Sequence, residues 1–323
     1  MTIPIRLKMV PAVFQFLVLQ ILLATGWQLN GQLMTKEDLQ QEITTYQAAS
    51  LQAKPPVMPE LQAGRIWLHL GTLYQDAGMY GQSEQAFEHA MRILAAAPVS
   101  RPDLAMVIDN LGTLYMETGN VKEAERAETK ALKMREEAGL ASEFPRSWYH
   151  LATLYLREHQ PLKAKNFAAL AVDAFLADPS AAPEDKLGSQ LVLASALCQS
   201  HEYPEAIEKL HGTVQMAKQT YGPDTLPTGF SSFLLGYAFW KSGDLSSAGG
   251  LMQGGAEIMG RTLGWQHPGY LLVMTRYAQF LRKQHRQDVA RPIEQQVKRM
   301  QAQLSTNPAY GHGLQTMDVA ALF

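Results

Sequence analysis

Every 40 to 42 residues, this chain places a small residue at one position of a recurring apolar pattern. The column runs Gly71, Gly112, Ala152, Ala194, Gly236 and Ala278. Just before each stands a large residue: Leu70, Leu111, Leu151, Leu193, Leu235 and Tyr277. Three positions after each come Tyr74, Tyr115, Tyr155, Leu197, Phe239 and Leu281. A second small column follows twelve residues after the first, at Ser83, Ala124, Ala164, Ala206, Ala248 and Ala290. A third, looser one reads Ala90, Ala131, Ala171, Thr213, Gly255 and Val297. Two antiparallel helices approach closely only where side chains are small, so Gly or Ala marks a crossing and the flanking Leu and Tyr fill the space beside it. One helix pair cannot bury both of its apolar faces, so pairs stack.

The pattern resembles the tetratricopeptide repeat (TPR), in the longer form of kinesin light chains. The first copy carries the resemblance most clearly, through Trp67, Leu70, Gly71, Tyr74, Gly78, Tyr80, Phe87 and Ala90. The resemblance implies an all-α, right-handed α-solenoid of about six helix-turn-helix repeats over residues 61–304. Two features depart from the family pattern: Glu128, where an aromatic or aliphatic residue is usual, and the glycines Gly249, Gly250, Gly254 and Gly255 in the fifth copy. A HEAT-type helical array has a similar period but accounts less well for the Gly/Ala and Tyr columns.

Outside the repeats, residues 27–60 read as an N-terminal capping helix and a Pro-rich linker. The helix starts at Thr35 as N-cap and carries Leu39, Ile43 and Tyr46 at helical spacing. Residues 305–323 form a C-terminal tail whose apolar end, 314–323, is expected to dock into the chain's own groove and to gate it against partners. Residues 1–26 have the layout of a signal peptide: Arg6 and Lys8, an apolar run over 9–24, then Ala24, Thr25 and Gly26. The run is broken by Pro11, Gln15 and Gln20 and is short for the roughly 20 residues that span a bilayer. The expectation is an exported, periplasmic or secreted protein starting near Trp27. The alternative is an uncleaved anchor in the inner membrane over residues 9–25.

Charge and cysteine content narrow the function. With 28 Lys and Arg against 30 Asp and Glu, the net charge of -2 argues against a broad nucleic-acid surface. Cys198, the single cysteine, reads as a buried small apolar residue. Nine histidines invite a metal site. Yet His159, His201 and His285 share the column of Gly78, Gly119 and Gly243, which is the turn after the first helix, and read as left-handed turn residues about one repeat apart. Carboxylates such as Glu123, Glu125 and Glu128 read as solvated helix faces. No phosphate loop, nucleophile elbow or paired-histidine metal motif stands out. The expectation is a protein that is not an enzyme and holds neither metal nor cofactor.

What remains is binding. Solenoids of this type line their concave face with the first helix of each pair. On the fifth first helix, Phe230, Phe233, Tyr237 and Trp240 form an apolar stripe opposite the packing face. Beside it lie Lys241 and, on the sixth, Thr275, Arg276, Gln279, Arg282 and Lys283. Phe230, Phe233, Tyr237, Trp240, Lys241, Arg276, Gln279, Arg282 and Lys283 are therefore the expected groove for an extended peptide or a partner protein. A membrane-tethered assembly factor or holder of unfolded clients is the alternative. The carboxylate clamp that some members of the family use is not expected, because the inward positions of the first two repeats hold Leu68, Thr72, Asp109 and Thr113.

Overall fold

The computed structural model describes residues 28–29, 32–33, 36–52, 59–96, 101–265 and 267–305. Among them are thirteen α-helices and one two-residue antiparallel ladder, β1 (Gln28–Leu29) with β2 (Gln32–Leu33). The leader expected at 1–26 and the tail at 314–323 lie outside the described residues. Two compact units divide the described chain, one up to Leu154 and the other from Tyr155 onward.

The first unit begins with α1 (Lys36–Ser50), followed by α2 (Glu60–Asp76), α3 (Tyr80–Ala95), α4 (Arg101–Glu117), α5 (Val121–Glu137) and most of α6 (Phe144–Arg157). The expected capping helix is α1. Its Leu39 and Ile43 are buried against Leu70, Leu73, Tyr74 and Ala86, and Tyr46 packs on the same cluster. Gln47 Nε2 donates to the Tyr74 hydroxyl at 2.8 Å. A second cluster joins Leu68, Phe87, Ala90 and Leu94 to Val107, Leu111 and Leu114, so the first pair is fused to the next through side chains at the repeating positions.

The small columns do what close helix crossing requires. A Cβ on Gly71 would lie 2.5 Å from the Phe87 ring, and one on Gly112 would lie 2.6 Å from Glu128 Oε1. Ser83 is fully buried and its hydroxyl donates to the Gly71 carbonyl at 2.8 Å, so this exception in the Ala column finds its partner on the helix it crosses.

The second unit holds the end of α6, then α7 (Pro161–Ala177), α8 (Pro183–Gln199), α9 (Tyr203–Tyr221), α10 (Leu226–Ser242), α11 (Leu245–Leu263), α12 (Pro268–Lys283) and α13 (Gln287–Ser305). The glycine-rich α11 has a specific cause at Gly255. A Cβ there would lie 2.5 Å from the Gly229 carbonyl and 2.8 Å from the Phe233 nitrogen, so α10 and α11 meet backbone to backbone. Cys198 is buried, as expected, at 1% exposure.

All six turns after a first helix close in the same way. The N–H of the residue after the left-handed position bonds back five residues, Met79 to Tyr74, Asn120 to Tyr115, Gln160 to Tyr155, Glu202 to Leu197, Asp244 to Phe239 and Arg286 to Leu281, at 2.8–2.9 Å. This is the Schellman closure, and its acceptor is the Tyr/Leu/Phe column in every copy. The left-handed residues are Gly78, Gly119 and Gly243 at φ 71, 81 and 100°, and His159, His201 and His285 at φ 53, 62 and 61°. These three histidines are turn residues, as their column predicts.

Candidate functional site

The expected groove residues fall into two groups. Phe230, Phe233 and Tyr237 are 0–1% exposed, so three of the four aromatics of the stripe on α10 present no open surface in this structure. Trp240 is half-buried, edge-on to Tyr237 and to Phe280 with centroids 5.6 and 5.8 Å away. Lys241 is exposed and lies over both the Trp240 and Tyr237 rings, at 5.4 and 5.7 Å. Arg276 donates to Gln279 at 3.1 Å. Arg282 grips Glu294 with a two-pronged pair, Nη2 to Oε2 at 2.6 Å, which leaves Lys283 as an exposed cation on the same helix. Lys241, Gln279, Arg282 and Lys283 are exposed.

A different surface opens in the first unit. A cavity of about 730 Å³ lies along α2 and α4, and Tyr46 of α1 also lines it. Arg65, His69 and Thr72 line it from α2, and Asp103, Met106 and Asn110 from α4. These residues recur every three or four positions on their helices, so each set forms one face. Asp103 holds the Arg65 guanidinium through Oδ1 and Oδ2 at 2.5 and 3.1 Å. Asn110 Nδ2 donates to Thr72 Oγ1 at 3.4 Å, and the Tyr46 and His69 rings meet at 4.3 Å. The apolar side of the cavity is Ile66, Met106 and Leu61. The inward positions Leu68 and Thr72 belong to this site, but the sequence marks none of its other residues, which are ordinary types between the packing columns.

Beneath the same unit's surface lies a charged cluster. Glu128, expected on a solvated face, is instead 0% exposed, although Glu123 is exposed and Glu125 half-buried. The cause of its burial is the helix crossing. Glu128 stands sixteen residues after Gly112, the offset at which Phe87 follows Gly71, so it points into the helix crossing where Gly112 leaves room. Asp109, expected to face the groove, is also buried at 1%. Arg135 Nη1 donates to Asp109 Oδ1 at 2.7 Å and to Ser147 Oγ at 2.5 Å, and its Nε donates to Glu143 at 3.1 Å. His150 Nδ1 stands 3.5 Å from Asp109 Oδ2 and 3.4 Å from Glu128 Oε1.

Electrostatics separate the two buried acids. Burial raises the Asp109 carboxyl, but His150 and Arg135 together reverse this and hold it below the usual carboxylate range. Burial and then Asp109 push Glu128 up to about 8, with His150 offsetting only part of the rise. Burial lowers the His150 imidazole, and the two carboxylates outweigh it and raise it.

With this geometry in hand, the comparisons with known proteins bear on the family. A family model described as tetratricopeptide repeat matches residues 62–137, the stretch from α2 through α5. Residues 62–137 are tetratricopeptide-repeat sequence. Solved structures share the fold of the chain. The apo quorum sensor NprR of B. thuringiensis is 14% identical with a TM-score of 0.59, covering 85% of this chain and 79% of that one. A Rap protein complexed with Competence and Sporulation Factor is 14% identical with a TM-score of 0.55, covering 83% and 77%. A point variant of the nearly identical TPR-like repeats from a putative kinesin light chain of Podosopora anserina is 23% identical with a TM-score of 0.50, covering 64% and 99%. At such identities the likeness is one of fold. No curated protein matches the chain in sequence. No helix among the described residues is long and apolar enough to cross a membrane.

Proposed function

We propose that this TPR protein is a non-enzymatic interaction scaffold, and that the α2–α4 face of its first unit holds an extended, uncharged peptide segment of a partner protein. The observation that carries the reading is the cavity of about 730 Å³ in which His69, Thr72 and Asn110 stand beside Ile66 and Met106. An extended peptide carries unpaired backbone N–H and C=O groups at every residue and needs side chains that can both donate and accept. Asn110, Thr72 and His69 do both, and Ile66 and Met106 offer the apolar contact that alternate side chains of a strand require. Arg65 and Asp103 already satisfy one another, so the cavity does not select for a charged peptide. The Rap relative, whose structure is of a complex with Competence and Sporulation Factor, supports ligand binding by a stack of this kind.

Panning a random peptide library against the full chain tests the reading. Selected peptides should lose at least tenfold in affinity with Met106→Glu or Asn110→Ala and keep it with Trp240→Ala and Lys283→Ala. The opposite pattern would place docking on the surface around Trp240, Lys241 and Lys283. Failure to select any sequence family, with weak binding to many denatured proteins, would instead favour the client holder. The proposal also takes residues 1–26 as a cleaved export segment, on the strength of Arg6, Lys8 and the apolar run that follows. N-terminal sequencing should then find Trp27 first, and an intact Met1 in the cytosol would refute it.

A further inference from the structure

We propose that Asp109, Glu128 and His150 form a binding site for one first-row divalent cation, with Zn2+ as the natural probe, that ties α4, α5 and α6 together inside the first unit. Each residue comes from a different helix, and one ligand atom from each, two carboxylate oxygens and an imidazole nitrogen, lies within 4.8 Å of the others. The separations are informative. A hydrogen bond from an imidazole to a carboxylate closes to about 2.8 Å. Here His150 Nδ1 stands off from Glu128 Oε1 and Asp109 Oδ2 at 3.4 and 3.5 Å, equally far from both. Two ligand atoms of a tetrahedral zinc site, each about 2.05 Å from the metal, lie roughly 3.3 Å apart. The edges that meet at His150 therefore have the length that an ion between the three atoms would impose.

A second observation is independent of that spacing. Both Glu128 oxygens and His150 Nδ1 are buried and make no hydrogen bond, although Glu128 is 0% exposed. A carboxylate withdrawn from water without a donor carries a large desolvation penalty. Space for it is nevertheless built in, because any residue larger than glycine at 112 would collide with it. The immediate surroundings are also short of positive charge. Three carboxylates, Asp109, Glu128 and Glu143, face one guanidinium, Arg135. A dication beside a neutral imidazole brings the group to balance.

Arg135 then acts as the support that metal ligands usually have. It holds Oδ1 of Asp109 at 2.7 Å and is itself anchored on Ser147 and Glu143, which fixes the direction of Oδ2. The nitrogen ligand disfavours Mg2+ and Ca2+, which take oxygen alone, and suits zinc or its neighbours. The His150 side chain is 17% exposed and gives the ion a way in. Such a site would be structural, adding a cross-link at a crossing where the sequence has given up the usual apolar plug.

The test uses the full chain, stripped with chelator, supplied with ZnCl2 and desalted. It should retain one zinc per chain by elemental analysis, and zinc should raise its thermal midpoint. Co2+ should give the visible absorption of a low-coordinate N/O site. Glu128→Gln and His150→Gln, which keep the volume, should each lose zinc affinity at least tenfold, while His159→Gly keeps the full equivalent. If the unchanged chain retains no zinc, the cluster is only a protonated His150 between two acids and the proposal fails. Retention of the full equivalent by either Gln variant overturns it too. Should a variant unfold, the zinc count and the cobalt spectrum of the unchanged chain decide alone.

Discussion

Arg135 and Asp109 form an ion pair at 2.7 Å in which each side chain is only 2% exposed. Two opposite charges are thus held away from water inside a fold that otherwise closes with alanine and leucine. Such a pair contributes little net stability compared with apolar residues of equal volume, yet removing one member leaves a buried charge without its partner. Arg135→Met should therefore lower the stability of the first unit by about 3–5 kcal/mol. The double variant Arg135→Met/Asp109→Leu should recover most of that loss. Urea unfolding of the three chains gives the comparison, and a double variant as weak as the single one would show that Ser147 and Glu143 matter more than the pair.

Gly112 and Glu128 are coupled more directly. A methyl on Gly112 would lie 2.6 Å from Glu128 Oε1, with no backbone strain to confuse the result. Gly112→Ala should cost about 1–3 kcal/mol through this overlap. In a Glu128→Ala background the clash is gone, and the same change should be neutral or slightly stabilising, because Ala favours helix over Gly by roughly 1 kcal/mol. The measurement is a double-mutant cycle by thermal melting, and additive effects would mean that the helices separate enough to absorb the methyl.

The left-handed turns make a sharper claim. At His159, with φ 53°, and His285, with φ 61°, glycine removes a steric cost of about 1 kcal/mol and returns part of it as unfolded-state entropy. His159→Gly and His285→Gly should leave the melting temperature unchanged or slightly higher. At His201 the ring nitrogen Nδ1 lies 2.6 Å from the Tyr203 hydroxyl, so His201→Gly also loses a contact and should fall below the other two. A β-branched residue, as in His159→Val, should destabilise where glycine does not.

These three places show what a sequence of this kind makes legible. The crossing columns and the turn histidines follow from helix geometry alone, because backbone approach and left-handed φ select residues by shape. Glu128 was legible by position but not by type. Its offset from Gly112 matches that of Phe87 from Gly71 and puts it inside, whereas the chemistry of a lone glutamate argues for solvent. The group nearest its carboxylate, His150 at 3.4 Å, stands on α6, where no fixed spacing in the sequence ties it to Glu128. The α10 stripe fails in a different way: Phe230, Phe233, Tyr237 and Trp240 have one helical periodicity whether their face is open or covered, and three of them are covered. The cavity beside Asn110 and His69 depends on how far apart α2 and α4 stand, which no residue type encodes.

Acid should weaken the second unit at the start of α12. His267 is the N-cap of α12, and its Nδ1 accepts a hydrogen bond from the Gly269 N–H at 3.1 Å. Only the neutral ring can accept there, and the positive end of the helix dipole opposes protonation. Burial lowers the His267 imidazole from 6.5 to about 4. Between those values the unfolded chain holds a proton that the folded chain refuses, so stability falls as the pH drops from 6.5 towards about 4 and is fully present above 6.5. The loss should be about 1–3 kcal/mol, between the usual worth of an N-cap and the full effect of the shift. His267→Asn keeps a capping oxygen without a titrating ring, so the difference in stability between the two chains should vanish above pH 6.5 and grow on acidification, with the variant the more stable. Carboxylates elsewhere titrate in the same range, which is why the difference between chains, followed by chemical denaturation at several pH values, is the measurement. A difference that does not change with pH would mean that His267 caps α12 in a form indifferent to its proton.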